Sequence, residues 1–437
     1  MLISRQKQLV QILVQDQHWH TLSELAFQLG YVPKTIRRDI AYLKEYLPTN
    51  WHIESVKGKG IRLVKPIEEG IDELESLFER HDMTFQILDL IFHQSVSTIK
   101  DLANRLYVQP SSLYNYLEKV RLYLAHFDVK LAKHPLRIQG TESHIIFLFS
   151  ELYVKTYQAN IWPFSALSQK EILHYIKQIE NKLQITLYPI DRRKISYFLA
   201  VLLHRKKKKY TVFVHHTHAV VLKETEFYQL IASISSTLCG IELQTVDKLF
   251  ITIVVNCSKY VHNDIEKNRQ DMLQTFQAGQ LAAYQHTNIF ISMLENACHI
   301  SLLQDKEFVF QMVQHLKRTI YKYSLIPNIE PPLESKMSII KQTYDSTFQQ
   351  VKQVYWEWIQ KYNIAPFVWE EDVGIVTLQI EAVKLLSQSP AKTALLYTED
   401  DFIWNRYIQG VLYHAFGTNL QVKSIPTLSI EMVEFTQ

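Results

Sequence analysis

The chain has 437 residues, 47% of them hydrophobic and 12% aromatic, which is enough for several packed domains. Its 47 basic and 44 acidic residues leave a net charge of +3, so attraction to a polyanion must come from local clusters of bases. The cysteines Cys239, Cys257 and Cys298 form no CxxC pair and fit a reducing, cytoplasmic setting, while ten scattered glycines form no GxGxxG or GxxxxGK[ST] loop for nucleotide phosphates.

At the start, "MLISRQKQLVQILV" lacks the long apolar core and small-residue cleavage site of a secretion signal. Apolar runs elsewhere, such as "ISYFLAVLLH", stop at about ten residues, half of what a bilayer span needs. Neither secretion nor membrane insertion is expected.

Residues 21–47, "TLSELAFQLGYVPKTIRRDIAYLKEYL", align without gaps on residues 98–124, "TIKDLANRLYVQPSSLYNYLEKVRLYL", at a constant offset of 77. Thr21/Thr98, Leu25/Leu102, Ala26/Ala103, Leu29/Leu106, Pro33/Pro110, Tyr46/Tyr123 and Leu47/Leu124 are identical. Two copies of one supersecondary unit are therefore present. Each predicts a short helix opened by a threonine cap, a tight turn, and a second helix with proline near its first position: helix-turn-helix spacing.

Alternating segments follow each copy, "WHIESVKGKGIRLV" at 51–64 and "VKLAKHPLRIQG" at 129–140, and read as β-hairpins, the wings of winged helices. Bases gather on these elements: through residue 65 there are ten bases against five acids, an excess larger than that of the whole chain. Phosphate binding requires such clustering. The first copy offers Lys34, Thr35, Arg37 and Arg38 on its second helix with Lys57, Lys59 and Arg62 on its hairpin. The second copy offers the less charged Ser111, Ser112, Tyr114 and Asn115, with Lys133 and Arg137 on its hairpin. Double-stranded DNA is the partner these residues fit.

Further along, "SQKEILHYIKQIENKL" and "SIIKQTYDSTFQQVKQVYWEWIQKY" carry helical periodicity and predict all-α bundles. The run Arg205–Lys209 reads as a solvated helix end. "HHTH" at 215–218 lacks a cysteine or acidic ligand at suitable spacing, so no metal is expected, and no cofactor or catalytic constellation stands out. An enzyme with an appended winged helix is accordingly disfavoured. The last segment pairs strand-like "TALLYT" and "LQVKSI" around a helix, the start of a βαβ unit.

With "TIRRDI", the paired helix-turn-helix units and a helical C-terminal half on the page, the chain resembles the Mga/AtxA family of PRD-containing virulence regulators of Gram-positive bacteria. The resemblance implies a mainly α, multi-domain protein. Its expected parts are winged helix-turn-helix units at 1–66 and 67–160, PRD-like bundles at 161–272 and 273–388, and a short EIIB-like α/β segment at 389–437. It implies a cytoplasmic, homodimeric transcriptional activator, with a carbohydrate-operon regulator as the alternative. It also implies phosphorylation on histidine by a phosphocarrier protein of the sugar phosphotransferase system. His204 and His315 are the positions that match, whereas "EEDVGIVTLQIEAV" carries Gln379 where the PRD motif has its second histidine, so that site is expected to be lost. No cysteine lies in "TEDDF", which argues against the phosphocysteine chemistry of true EIIB proteins.

Overall fold

A computed structural model describes residues 4–15, 18–48, 50–66, 71–157, 161–214, 216–278, 282–325, 335–386, 393–397, 402–417 and 420–424. The chain divides into two compact units: 1–125 with 129–141 and 147–166, and 126–128 with 142–146 and 167–437.

The first unit opens with α1 (Ser4–Gln15), α2 (Leu22–Leu29), α3 (Pro33–Tyr46) and an antiparallel hairpin of β1 (His52–Val56) and β2 (Gly60–Val64). Apolar residues at helical spacing place Leu9, Val10 and Leu13 of α1, Leu25 and Ala26 of α2, and Ile36, Ile40 and Leu43 of α3 in one core. Trp51, Ile53, Ile61 and Leu63 close that core from the hairpin.

After α4 (Ile71–His81) the same plan returns: α5 (Met83–Phe92), α6 (Ile99–Leu106), α7 (Pro110–Ala125) and the hairpin of β3 (Lys130–Lys133) and β4 (Leu136–Gln139), followed by α8 (Glu142–Thr156). Helices α2 and α6, and α3 and α7, start 77 residues apart, and the repeat extends into backbone bonding that side-chain identity does not reveal. In the first copy His20 exchanges both backbone hydrogen bonds with Ile61, each 2.8 Å; 77 residues after His20, Ser97 O accepts from Leu136 N at 2.9 Å. Each hairpin is thereby tied to the start of its own helix pair. Tyr153 of α8 donates to Asp89 Oδ1 of α5 at 2.6 Å, closing the second copy.

The second unit is mostly helical. It contains α9 (Gln169–Leu183), β5 (Ile185–Leu187), α10 (Pro189–Lys207), α11 (His216–Glu224), α12 (Glu226–Ala232), β6 (Thr237–Leu238), β7 (Ile241–Glu242), α13 (Thr245–Cys257) and β8 (Tyr260–His262). Ile195–Leu203 of α10 is buried on every side, so the apolar run "ISYFLAVLLH" is a central core helix. Among the described residues no helix is long and apolar enough to cross a membrane. The pairings β5–β8 and β6–β7 depart from the all-α expectation; at two or three residues such strands leave no readable alternation.

Next come α14 (Ile265–Ala278), α15 (Ala282–Cys298), α16 (Lys306–Leu325), α17 (Ser335–Thr343), α18 (Asp345–Lys361) and α19 (Glu370–Leu386). Phe290, Leu294, Phe308, Met312, Phe348, Tyr355, Trp358 and Val376 fill a core shared by α15, α16, α18 and α19. The periodicity over 338–362 reads as one helix, yet the chain breaks between α17 and α18 at Tyr344 (φ −120°, ψ 41°). Apolar spacing continues across the break because both helices bury a stripe against α19, so the pattern alone does not mark it. The Tyr344 hydroxyl lies 2.7 Å from that of Tyr407. Finally β9 (Thr393–Leu396) and β10 (Gln421–Ser424) pair in parallel around α20 (Phe402–Phe416), which packs on α19.

The side chains of the 215–218 histidine run and the loop residues 398–401 lie outside the described residues.

Candidate nucleic-acid interface

In the first copy a capping box fixes the start of α2: Thr21 N donates to Glu24 Oε2 at 2.7 Å and Glu24 N donates to Thr21 Oγ1 at 3.2 Å. Those Thr21 bonds hold the Glu24 carboxyl below its ordinary range. Gly30 ends the helix in the left-handed region (φ 72°), a conformation that costs glycine little, and Pro33 starts α3 three residues later.

One face of α3 is buried through Ile36, Asp39, Ile40 and Leu43. The opposite face presents Lys34, Arg37 and Arg38 to solvent, and none of the ion pairs among the described residues involves them. Thr35 is half-buried at the edge of this face. Lys57 and Lys59 are exposed at the hairpin tip beside Gly58 and Gly60. Arg62 is engaged within the fold: its Nε donates to Glu54 Oε2 at 2.7 Å, and its guanidinium lies 4.8 Å from the Trp19 ring centroid.

Motif reading missed Asp39 as a positioning group. The single acidic residue of "TIRRDI" is 4% exposed and accepts hydrogen bonds from Arg5 Nε (2.5 Å), Arg5 Nη2 (3.0 Å) and Gln6 Nε2 (3.0 Å). The carboxylate therefore locks α3 onto α1, and it raises the Arg5 pKa further above its ordinary value. A signal existed in the sequence: Asp39 falls three residues after Ile36 and one before Ile40, on the core-facing stripe where an unpaired acid would be costly.

The second copy keeps the scaffold with different surface chemistry. Leu113, Leu117 and Val120 of α7 are buried, while Ser111, Ser112, Tyr114 and Asn115 are exposed, as are Lys133 and Arg137 on the hairpin. Exposed hydrogen-bonding groups thus stand where the first copy has three cations.

The run at 205–209 is less solvated than expected. Arg205 is buried and donates from Nε and Nη2 to both Glu142 oxygens at 2.6 and 2.7 Å, with its guanidinium 3.7 Å from the Tyr210 ring centroid; Lys206 Nζ donates to Asp247 Oδ2 at 2.6 Å. Only Lys207 and Lys209 are fully exposed in this run. These contacts give Arg205 and Lys206 structural partners within the second unit.

Of the two histidines, His204 is half-buried near the end of α10. His315 is 3% exposed on α16, with Nε2 3.2 Å from the Tyr355 hydroxyl. Burial first, then Arg318, Lys322 and Lys259, hold its pKa well below the ordinary histidine value. Gln379 is buried on α19, and neither its amide nitrogen nor its oxygen has a hydrogen-bond partner among the described residues.

Residues 2–59 match the helix-turn-helix domain of the M protein trans-acting positive regulator, residues 68–153 the Mga helix-turn-helix domain, and residues 288–383 the PRD domain. The chain is 35% identical over 426 residues to the capsule synthesis positive regulator AcpB of Bacillus anthracis, covering 97% of this chain and 88% of that protein. The chain belongs to the Mga/AtxA family of regulators. Capsule synthesis positive regulator AcpA of the same organism is 30% identical over 422 residues, with 96% and 87% coverage. The anthrax toxin expression trans-acting positive regulator, also of B. anthracis, is 22% identical over 427 residues, with 95% and 86% coverage. This member of the family is a transcriptional regulator carrying helix-turn-helix domains of the DNA-binding type and a PRD.

Proposed function

We propose that the chain is a positive regulator that binds promoter DNA as a homodimer, with α3 and α7 as recognition helices and the two hairpins as wings against the phosphate backbone. The carrying observation is the solvent face of α3, where Lys34, Arg37 and Arg38 stand outside every ion pair found among the described residues. Cations left unpaired on the face opposite the core are available to displace counterions from a duplex. Lys57 and Lys59 extend the same charge onto the hairpin, with Arg62 held behind them by Glu54. The positive sign of regulation is taken from the named relatives.

Arg37 and Arg38 of α3 and Asn115 of α7 suit base reading, while Thr35, Ser111 and Ser112 offer only short hydroxyls. Recognition therefore draws on DNA shape and deformability as well as on base edges. A phosphocarrier protein would modulate the second unit through His204 or His315. The EIIB-like segment would serve association between copies.

The test is genome-wide occupancy of the full chain compared with the Arg37→Ala/Arg38→Ala double variant. Loss of most occupied sites is expected. Unchanged occupancy would remove α3 as the DNA-contacting helix.

A further inference from the structure

The two helix-turn-helix copies differ sharply at one backbone position. Gly30, which ends α2 at φ 72°, corresponds at the 77-residue offset to Tyr107, which ends α6 at φ 54°, ψ 39°. Both residues close their helix in the same manner, the backbone N–H of Gly30 reaching Ala26 O and Phe27 O and that of Tyr107 reaching Ala103 O and Asn104 O. Glycine adopts this conformation at little cost, whereas a side chain with a Cβ is strained there. The scaffold itself thus calls for glycine, and the second copy carries a tyrosine.

Among the described residues nothing repays that strain. Tyr107 is 96% exposed, and no described residue packs on its ring or bonds its hydroxyl. Tyr31, the residue after Gly30 in the turn of the first copy, instead has the Arg5 guanidinium 4.7 Å from its ring centroid. Other non-glycine residues share this backbone conformation, Gln184 at the end of α9 among them, but Tyr107 combines it with a large, solvent-projecting aromatic side chain in the turn that leads into α7, where a bound partner would offset the strain. The neighbouring exposed groups are Arg105 in the last turn of α6 and Gln109, Ser111 and Ser112 at the start of α7, a set of hydrogen-bond donors flanking the turn.

The geometry points to Tyr107 as a DNA-backbone contact whose phenol donates a hydrogen bond to a phosphate oxygen beside the entry of α7. This rests on the DNA-binding reading given above and assigns the second copy an anchor of its own. The contact comes from a neutral donor: it adds affinity without releasing a counterion, in contrast to the cations of α3. The second copy would in this way grip the backbone with little charge, and its contribution would persist at ionic strengths that weaken the first.

The experiment uses the full chain with a 200-base-pair promoter fragment chosen by genome-wide occupancy and a random-sequence duplex of equal length. Tyr107→Gly should raise the Tm by a few degrees, on the order of 2–5 °C, by releasing the backbone strain, and weaken binding about tenfold. Tyr107→Phe should leave the Tm unchanged and weaken both duplexes about as much, with the slope of log K against log salt unaltered. A Tm lowered by Tyr107→Gly would overturn the strain argument, and wild-type affinity in Tyr107→Phe would overturn the hydroxyl contact. Arg37→Ala/Arg38→Ala serves as the reference. If that variant loses binding while both Tyr107 variants bind normally, the inference alone fails; if it too binds normally, the DNA-binding reading of these helices fails with it.

Discussion

Asp39 and the cations beside it divide the work of one short motif. Lys34, Arg37 and Arg38 face solvent, whereas Asp39 turns into the core and takes three hydrogen bonds from Arg5 and Gln6. Removing the carboxylate leaves the Arg5 guanidinium, 22% exposed, without its counter-charge. Breaking a well-buried pair costs roughly 3–5 kcal/mol; with one partner partly in water, Asp39→Ala should cost about 2 kcal/mol. Urea unfolding would register this as a lower midpoint for the first domain, and DNA affinity would fall although no contacting residue changed. Gly60 is a second positioning residue, because at φ 105° an added Cβ would lie 2.2 Å from His20 O, in the backbone pair that holds the hairpin. Gly60→Ala should cost about 2–3 kcal/mol and release the hairpin, seen as faster amide exchange at His20 and Ile61. Neither role could be read from charge counting, since burial and backbone angle decide both.

At the scale of elements, the repeat made most of the N-terminal architecture legible. Identity at Leu25/Leu102, Ala26/Ala103 and Pro33/Pro110 reports the shared packing and the shared start of the second helix, and both hairpins occupy the alternating segments. Legibility ends where a tertiary partner overrides local pattern: the break at Tyr344, and the two-residue and three-residue strands that join loops in the second unit. The contrast between α3 and α7 gives a quantitative expectation. Each phosphate contact made by a cation contributes about 0.9 to the log–log salt slope on duplex DNA. Arg37→Ala/Arg38→Ala should therefore lower that slope by up to about 2, whereas Tyr114→Ala/Asn115→Ala should weaken binding and leave the slope in place. Equal slope changes for the two pairs, measured by fluorescence anisotropy over a salt series, would contradict the division of roles between the helices.

For the whole molecule, the candidate regulatory histidines differ in what the fold allows them to become. The sequence pattern selects His204 and His315 alike, because burial across several helices is not encoded in the few residues around each. A charge of about −2 from phosphorylation meets a smaller obstacle at half-buried His204, three residues before exposed Lys207, although its Nε2 is itself covered and must be brought to the surface. At His315 the same charge would enter a core lined by Tyr355 and Thr319, so modification there has to follow a local opening of α16. Titration reports on that enclosure. Because His315 has its folded pKa below the ordinary 6.5, the unfolded chain binds the extra proton, and stability falls as pH drops below about 6.5. His315→Gln should flatten the fall of Tm between about pH 6.5 and 5, leaving the part due to His144 and His262, whose pKa values burial also lowers. His315→Asp should lower the Tm at neutral pH by placing a carboxylate in that core, whereas His204→Asp should leave it nearly unchanged. If both aspartates were tolerated equally, His315 would be far more accessible than its 3% exposure indicates, and access would no longer separate the two sites.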